Sequence, residues 1–219
     1  MPVKLNHYYT IIPDKITDYE KFMIKEFIPG INKLGIHAVA GWTILIGAYS
    51  EIILETVGND LELIEKSLQN PKYKDLSIKL FNFIKDYKTK VLVKTGKIDS
   101  YSTDIKKDTI KFNQTWNIKN DKKAEYDKFT SEEFYPCLEE MGVHIASEWE
   151  VLIGGGPHII CEGRVQNVED LIDNLQCTVF QAASKTLKQY VTNYESRILS
   201  FHIQKVKGYK SASYNLIHV

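Results

Sequence analysis

The sequence is a tandem duplication. When the chain is shifted by 107 positions against itself, residues 4–92 align with residues 111–199 without a gap, and roughly a quarter of the aligned positions are identical. The most similar segments are "GIHAVAGWTILIG", from Gly35 to Gly47, and "GVHIASEWEVLIG", from Gly142 to Gly154. Such self-similarity at one fixed spacing indicates that the same structural unit is built twice. The absence of gaps predicts that each element has the same length in both copies.

Each repeat predicts the element order β-α-β-β-α-β. A β-rich segment, Lys4–Ile12 or Lys111–Ile118, precedes apolar residues at helical spacing, and two further apolar runs flank a glycine turn that is typical of a hairpin. A second helical region and a final strand complete the unit. In the second repeat the helical pattern continues from Val168 to Tyr194 without a break. This order is that of the ferredoxin-like split βαβ unit.

The predicted unit leaves one face of its sheet uncovered. A ferredoxin-like sheet has helices on a single face, so the other face needs a second layer. We therefore expect an α+β fold of two tandem ferredoxin-like repeats whose antiparallel sheets pack face to face as an intrachain α+β barrel. The expected division is 1–96 for the first repeat, 97–107 for a polar linker, 108–205 for the second repeat and 206–219 for a tail. The tail sequence "SYNLIHV" could add an edge strand or pair with another subunit.

The charge balance argues against nucleic acid and membranes as partners. Lysine plus arginine and aspartate plus glutamate both number 28, which leaves no net charge. Arginine, which reads bases and phosphates, occurs only at Arg164 and Arg197. No run approaches the roughly 18 apolar residues of a membrane helix, and no signal peptide is expected. Three cysteines without a C-x-x-C pair, at Cys137, Cys161 and Cys177, fit a reduced, cytoplasmic protein better than a disulfide scaffold or a zinc ribbon.

Two segments carry a resemblance to a known superfamily. "GWTILIGAYSEIILE" and "LQNPKYKDLSIKLFNFIKDYKTKVL" resemble the dimeric α+β barrel superfamily, and within it NIPSNAP-type domains most. The resemblance covers both repeats, although the second has Cys177-Thr178 in place of the Asn-Pro step. It implies a broad range of functions: cofactor-free aromatic monooxygenases, haem-degrading monooxygenases, chlorite dismutase-like haem proteins and members without a known activity. The fold alone therefore decides little about function.

The same resemblance draws attention to the first-strand asparagines, Asn6 and Asn113. Haem-degrading members of the superfamily carry an asparagine there that helps hold the attacking oxygen species, with a tryptophan and a histidine nearby. Their histidine lies in the second helix, where neither repeat has one. This departure argues against haem degradation and leaves Asn113 as a candidate catalytic residue for other chemistry.

Three pairs of candidate site residues recur in both repeats. They are Trp42 and Trp149, His37 and His144, and Glu55 and Glu162. Each pair has a structural explanation: the tryptophans can pack in the core, each histidine follows a helix end whose carbonyls it can satisfy, and each glutamate lies among apolar strand residues where its charge needs a partner. Each pair also has a functional explanation, as ligand contacts or as acid–base groups.

The second repeat holds polar residues that the first lacks. Glu148, Glu150, His158 and His202 join the shared His144 and Glu162 there. Histidines and carboxylates from three strands could hold a divalent metal such as iron, manganese or zinc. The weak candidate ligands are His144, His158, His202 and Glu162, and His144 or His202 would be the proximal ligand of a haem. No compact metal motif supports either group, and our expectation is no cofactor.

These residues support three hypotheses about function. In the first, the barrel binds a small, largely apolar molecule and acts on it without a cofactor, as a monooxygenase or an isomerase. The catalytic residues would then be His144, Glu162 and Asn113, and the ligand contacts would be Trp149, Glu148, Glu150, Trp42, His37 and Glu55. In the second hypothesis the chain is a non-enzymatic structural protein, and in the third it binds haem or a metal. In each case we expect a homo-oligomer.

Overall fold

The chain forms two compact units. The computed structural model describes the backbone of residues 2–47, 51–98, 100–103, 105–106, 109–207 and 212–216, and the side chains up to Ile203. The first unit comprises Met1–Ile44, Tyr49–Val93 and Phe201–Val219, and the second comprises Leu45–Ala48 and Lys94–Ser200. Each unit is therefore built mainly from one repeat of the sequence.

The first unit has the predicted β-α-β-β-α-β order. Its elements are β1 (Val3–Ile11), α1 (Ile16–Phe22), α2 (Ile28–Lys33), β2 (His37–Ile46), β3 (Ile52–Gly58), α3 (Leu61–Gln69), α4 (Pro71–Leu80) and β4 (Ile84–Lys94). The strands are hydrogen-bonded in the order β2-β3-β1-β4, and neighbouring strands are antiparallel. Leu5 and Tyr9 of β1 share a core with Phe27, Ile31 and Leu76, so the helices cover that face of the sheet.

The second unit repeats this architecture. Its elements are β5 (Ile110–Ile118), α5 (Lys123–Phe129), α6 (Tyr135–Glu140), β6 (His144–Ile153), β7 (Ile159–Val165), α7 (Val168–Gln176), α8 (Thr178–Tyr190) and β8 (Val191–Lys207). The antiparallel strand order is β6-β7-β5-β8, and the core includes Phe112, Phe134 and Leu187. The α+β class and the two ferredoxin-like repeats are confirmed, whereas the face-to-face packing of their sheets stays a prediction.

The first helical region of each repeat changes its pitch halfway. A π-helical turn, Met23–Phe27 or Thr130–Phe134, separates the two α-helical parts. Pro29 and Pro136 lie directly after it, in the first turn of α2 and of α6. Each proline removes one backbone donor from the helix at this junction, which marks the division between its two α-helical parts. The described segments contain no helix that is long and apolar enough to cross a membrane.

The unbroken helix predicted from Val168 to Tyr194 is wrong. Cys177 interrupts it with an extended backbone, and its sulfur accepts a hydrogen bond from the Phe180 N–H at 3.5 Å. Cys177 therefore caps α8, as Asn70 caps α4 in the first repeat. Helix α8 also ends before Tyr194, because the chain enters β8 at Val191. Within that strand Asn193 adopts a positive φ of 54°.

The end of β8 belongs to the first unit. There the ring of Phe201 stacks on Trp42, with 4.3 Å between centroids, and Ile203 is buried. The strand also pairs with β2, and β9 (Ala212–Leu216) adds an antiparallel strand along it. The extra strand expected from the tail is therefore present, whereas residues 217–219 lie outside the described part of the chain.

Candidate functional site

Each repeat contains a buried lysine–glutamate pair on its sheet. In the first, Lys4 Nζ lies 2.5 Å from Glu55 Oε1, and Trp42 Nε1 donates to Glu55 Oε2 at 3.0 Å. In the second, Lys111 Nζ lies 2.8 Å from Glu162 Oε1. All four charged side chains are almost completely buried. The shared glutamates therefore have the charge partner that burial requires, which is a structural explanation for both.

Of the three predicted catalytic residues, the structure brings two together. Asn113 faces Glu162 across the β5–β7 ladder, and its side-chain oxygen is buried without a hydrogen-bond partner among the described atoms. His144 instead lies at the exposed start of β6, where its Nδ1 atom is 3.3 Å from Glu139. Trp149 is fully buried and packs edge-on against Tyr101. The roles predicted for these residues stay predictions.

The other histidines are dispersed. His37 is exposed at the start of β2, and His202 stacks on Tyr19 in the first unit. His158 is exposed and directly precedes β7 in the second unit. Within the described part of the chain, no three histidine, cysteine or acidic side chains are grouped as metal ligands would be. The four weak metal candidates therefore do not form such a group.

A polar cluster of the second repeat is centred on Glu148. Its side chain is only 1% exposed, and its Oε2 atom accepts hydrogen bonds from the hydroxyls of Tyr126, at 2.6 Å, and Tyr135. Trp116 Nε1 in turn donates to the Tyr126 hydroxyl at 3.0 Å. Helices α5 and α6 supply the tyrosines and the sheet supplies the other two residues. The cluster thus lies between the helices and the sheet, where a carboxylate is stable only because donors surround it.

Lys97 completes the cluster from the segment that follows β4. The Nζ contacts are Asp127 Oδ1 at 2.7 Å, Glu148 Oε1 at 3.2 Å, Thr130 Oγ1 at 3.3 Å and the Tyr126 ring centroid at 3.9 Å. A lysine side chain is otherwise flexible, and these contacts hold its ammonium group in one place. The Lys97 side chain is 15% exposed and that of Glu148 only 1%, so of this pair Lys97 is the residue accessible from the surface.

The cluster keeps its groups in defined protonation states. Burial, with the nearby Glu148 anion, raises the pKa of Tyr126 far above its ordinary value, and burial likewise raises the pKa of Tyr135. Both tyrosines therefore remain hydrogen-bond donors. Burial alone would favour the neutral acid at Asp127, but the hydrogen bond and charge of Lys97 lower the pKa of this carboxyl. Asp127 is thus an ionised acceptor beside a fixed cation.

Sequence differences at two equivalent positions explain why the first repeat lacks this cluster. Glu148 corresponds to Gly41, and Gly96 corresponds to Ile203, at the repeat spacing of 107. In the first unit Ile203 fills the space, since a Cβ on Gly41 would come within 3.1 Å of the Ile203 Cβ atom. In the second unit no atom lies within 4 Å of a Cβ placed on Gly96. This position is therefore closed in the first repeat and open in the second.

A pocket of ≈ 510 Å³ opens beside the cluster. Its walls are formed by Lys94, Thr95, Lys97, Ile118, Lys123, Asp127, Ser131, Glu148, Glu150, His158 and Ile159. Only the two isoleucines are apolar, so the pocket is suited to a polar molecule. Ser131 comes from the π-helical turn, and such turns are frequent at functional sites.

The pocket unites part of the predicted site and adds residues that the sequence did not indicate. Glu148, Glu150 and His158, all proposed from their absence in the first repeat, line this one pocket. The residues that sequence reasoning missed are Lys97, Asp127, Tyr126 and Tyr135. Lys97 lies in a linker, and Tyr126 recurs in the first repeat as Tyr19, so neither was distinctive. A signal existed at Tyr135, which replaces an isoleucine of the first repeat.

This chain is similar to known proteins in its fold. No family model matches the sequence, and no curated protein matches it. Among solved structures, a "Putative monooxygenase" from Fusobacterium nucleatum is similar with a TM-score of 0.68 and 10% identity, over 91% of this chain and 92% of its own. An anthrone oxidase-like protein is similar with a TM-score of 0.65 and 11% identity, over 91% of this chain and 90% of its own.

The chain shares its ferredoxin-like α+β fold with these solved structures. The fold expected from the two sequence segments is thereby confirmed. A NIPSNAP family protein from Agrobacterium tumefaciens is also among the similar structures, with a TM-score of 0.37 and 18% identity over 44% of this chain and 95% of its own. At such identities the activity of this chain has to be argued from its own residues.

Proposed function

We propose that the second repeat binds a small polar molecule in the Glu148 pocket and performs acid–base chemistry on it. The observation that carries this proposal is the fixed ammonium group of Lys97, held between Asp127 and Glu148 at the pocket wall. Only the second repeat has the glutamate that makes this possible, because Gly41 takes its place in the first. A buried carboxylate with two tyrosine donors and a lysine is more than packing requires.

The pocket residues divide into groups that meet the ligand and groups that position them. Lys97 offers a preorganised donor to an oxygen that becomes negative when the ligand loses a proton. His158 lines the same pocket, and histidine is the side-chain type that most often accepts a proton in such reactions. Glu148, Tyr126 and Tyr135 act behind Lys97 and fix its position.

The lining favours a different ligand from the one expected from the sequence alone. That expectation was a largely apolar molecule, whereas the walls of this pocket carry three lysines and three acidic residues. A hydroxy acid, keto acid, amino acid or polar phenol would match these charges better. Each of these classes has an O–H, or a C–H next to a carbonyl group, from which a base can remove a proton.

The same first step serves both reaction types considered from the sequence. A deprotonated ligand can be reprotonated at another atom, which is isomerisation, or can react with dioxygen, which is cofactor-free oxygenation. A "Putative monooxygenase" and an anthrone oxidase-like protein share the fold, so oxygenation is the first reaction to assay. Both reactions depend on stabilising the anion beside Lys97.

The experiment combines a ligand screen with an assay of proton transfer. Hydroxy acids, keto acids, amino acids and phenols are tested for an increase in the unfolding temperature of the wild-type chain. Hits are then incubated with the protein in deuterated water, where exchange at a carbon atom reports proton removal, and in an oxygen electrode. We expect a hit whose binding and exchange are lost in Glu148→Gln. A hit that binds and exchanges equally well with a folded Glu148→Gln variant would contradict the proposal.

A further inference from the structure

The outward face of α4 in the first repeat is apolar and basic. Ile78 and Phe81 are 64% and 48% exposed, whereas Tyr73 and Leu76 on the opposite side of the helix are buried. Lys74 precedes Ile78 by four residues and Phe81 follows it by three, so the three side chains share one face. We call Lys74, Ile78 and Phe81 the α4 knob.

The α4 knob is specific to the first repeat. Ile78 and Phe81 correspond to Lys185 and Lys188 of the second repeat, which forms the same helix without them. The fold therefore does not require apolar residues at these two positions. Neighbouring exposed apolar side chains on a charged surface are a common mark of an interaction site.

The second repeat carries a surface of the opposite character. A groove of ≈ 610 Å³ runs between the end of α6 and α7. Its carboxylates belong to Glu140, Asp170 and Asp173, and its apolar residues are the half-buried Met141 and, beneath it, the buried Val165 and Leu171. We call these six residues the α7 groove. An acidic rim beside the half-buried Met141 complements an apolar knob beside a lysine.

The α7 groove is specific to the second repeat. In the described part of the first repeat, Leu63 stands where Asp170 stands in the second, and its side chain lies 3.1 Å from a Cβ placed on Gly35. At Gly142, the equivalent glycine, no atom lies within 4 Å of such a Cβ. A single leucine thus covers in one repeat the space that is open in the other.

The net charges of the two repeats have opposite signs. Residues 1–96 contain 13 basic and 11 acidic residues, whereas residues 108–205 contain 10 basic and 15 acidic residues. The neutral chain is therefore a positive repeat joined to a negative one. Two copies attract each other when the first repeat of one approaches the second repeat of the other.

We propose that the chain associates head to tail, with the α4 knob of one copy seated in the α7 groove of the next. Ile78 and Phe81 pack over Met141, and Lys74 pairs with the acidic rim. The two surfaces are different, so the contact is heterologous and each bound copy leaves a free knob and a free groove. Such contacts continue into a ring or a filament instead of stopping at a dimer.

The test uses two variants that copy the other repeat. Ile78→Lys with Phe81→Lys removes the knob, and Asp170→Leu with Asp173→Lys closes the groove with the residues that the first repeat has at these positions. Both variants introduce side chains that the same architecture already accepts. Sedimentation velocity over a range of protein concentrations, at low and high salt, then measures association, and circular dichroism checks folding.

We expect the wild-type chain to form larger species with rising concentration and fewer of them at high salt. Each variant alone should remain a monomer, and an equimolar mixture should give a one-to-one complex and nothing larger, because only one knob and one groove remain. Lys74→Glu, an exposed change that leaves folding intact, should weaken wild-type association at least tenfold.

Two results would overturn the proposal. In the first, the wild-type chain stays monomeric throughout; if it then sediments with anionic phospholipid vesicles in a way that requires Ile78 and Phe81, the knob is assigned to a lipid surface. In the second, both variants associate as strongly as the wild type.

Discussion

Lys97 Nζ lies 3.2 Å from the buried carboxylate of Glu148, and neither residue has an equivalent in the first repeat, where Gly41 and Gln204 occupy the matching positions. A carboxylate buried at this depth without a cation would be strongly destabilising, and Lys97 is the cation beside it. Glu148 therefore depends on Lys97. This dependence distinguishes the second repeat from the first and leads to the first prediction.

Removing the charge of Lys97 should destabilise the protein. Lys97→Met leaves Glu148 buried with its two tyrosine donors but without a cation, and breaking a buried pair in this way costs about 3–5 kcal/mol. Because Lys97 is partly exposed, we expect about 2–3 kcal/mol, measured by urea unfolding. Lys123→Met is the control, since Lys123 is 71% exposed, and it should change the free energy of unfolding by less than about 1 kcal/mol. Equal effects of the two substitutions would refute the dependence of Glu148 on Lys97.

His7, in the first repeat, should make the protein less stable at acid pH. This side chain is fully buried, with Nδ1 2.8 Å from the Tyr87 hydroxyl, and burial lowers its pKa from 6.5 to about 4. The unfolded chain binds a proton at His7 below about pH 6.5, whereas the folded chain does so only near pH 4. The stability that the neutral His7 side chain contributes is therefore fully present above pH 6.5. It is lost as the pH falls to about 4, which lowers the free energy of unfolding by about 3 kcal/mol.

The second repeat supplies the matched control for this titration. Gln114 takes the place of His7 and accepts a hydrogen bond from the Tyr194 hydroxyl at 2.7 Å. His7→Gln should therefore fold and should lose less stability than the wild type between neutral pH and about pH 4. Urea unfolding at several pH values measures the difference. Parallel pH profiles of the two proteins would show that His7 does not titrate as described.

The two shared glutamates should behave alike. Glu55→Gln and Glu162→Gln each leave a buried lysine without its full charge partner, and each should lower the free energy of unfolding by about 3–5 kcal/mol. Neither should abolish binding of a ligand in the Glu148 pocket. Thermal unfolding and ligand titration check both points. A Glu162→Gln protein of normal stability that has lost ligand binding would instead support the catalytic role first predicted for Glu162.

The helix junction at Cys177 should accept a better cap. Its sulfur is a weak acceptor for the Phe180 N–H, whereas Asn70 caps α4 with its side-chain oxygen. Cys177→Asn should raise the free energy of unfolding by about 0.5–1 kcal/mol, because asparagine is among the best N-cap residues. Thermal unfolding under reducing conditions measures this change. Asn70→Ala is the reciprocal variant and should destabilise the first repeat.

The fold was predictable because the sequence pattern of each element occurs in both repeats and can be compared between them. Apolar periodicity and the glycine turns locate the strands and helices of both units. The break at Cys177 was not predictable from the pattern, because cysteine is rarely a helix cap and the Asn-Pro signal of the first repeat is absent. The positive φ at Asn193 likewise depends on a local irregularity in the β5–β8 ladder.

The candidate site was predictable only where the repeats differ. The change from Gly41 to Glu148 pointed to the correct strand, and His158 and Glu150 lie in the same pocket. Lys97 could not be placed, because its position depends on where the segment after β4 runs, and this is a tertiary property. Residues common to both repeats, such as Glu162, attracted a functional prediction although a buried lysine accounts for their charge.

The most direct test of the account compares one hydroxyl in each repeat. Tyr126→Phe removes a donor to Glu148, and Tyr19→Phe removes the equivalent hydroxyl of the first repeat, which bonds to Tyr9 at 2.7 Å. Affinity is measured by calorimetry with the molecule found in the screen. We predict one site per chain, at least tenfold weaker binding for Tyr126→Phe and unchanged binding for Tyr19→Phe. Two equal sites per chain, or the same affinity in both variants, would contradict the assignment of function to the second repeat.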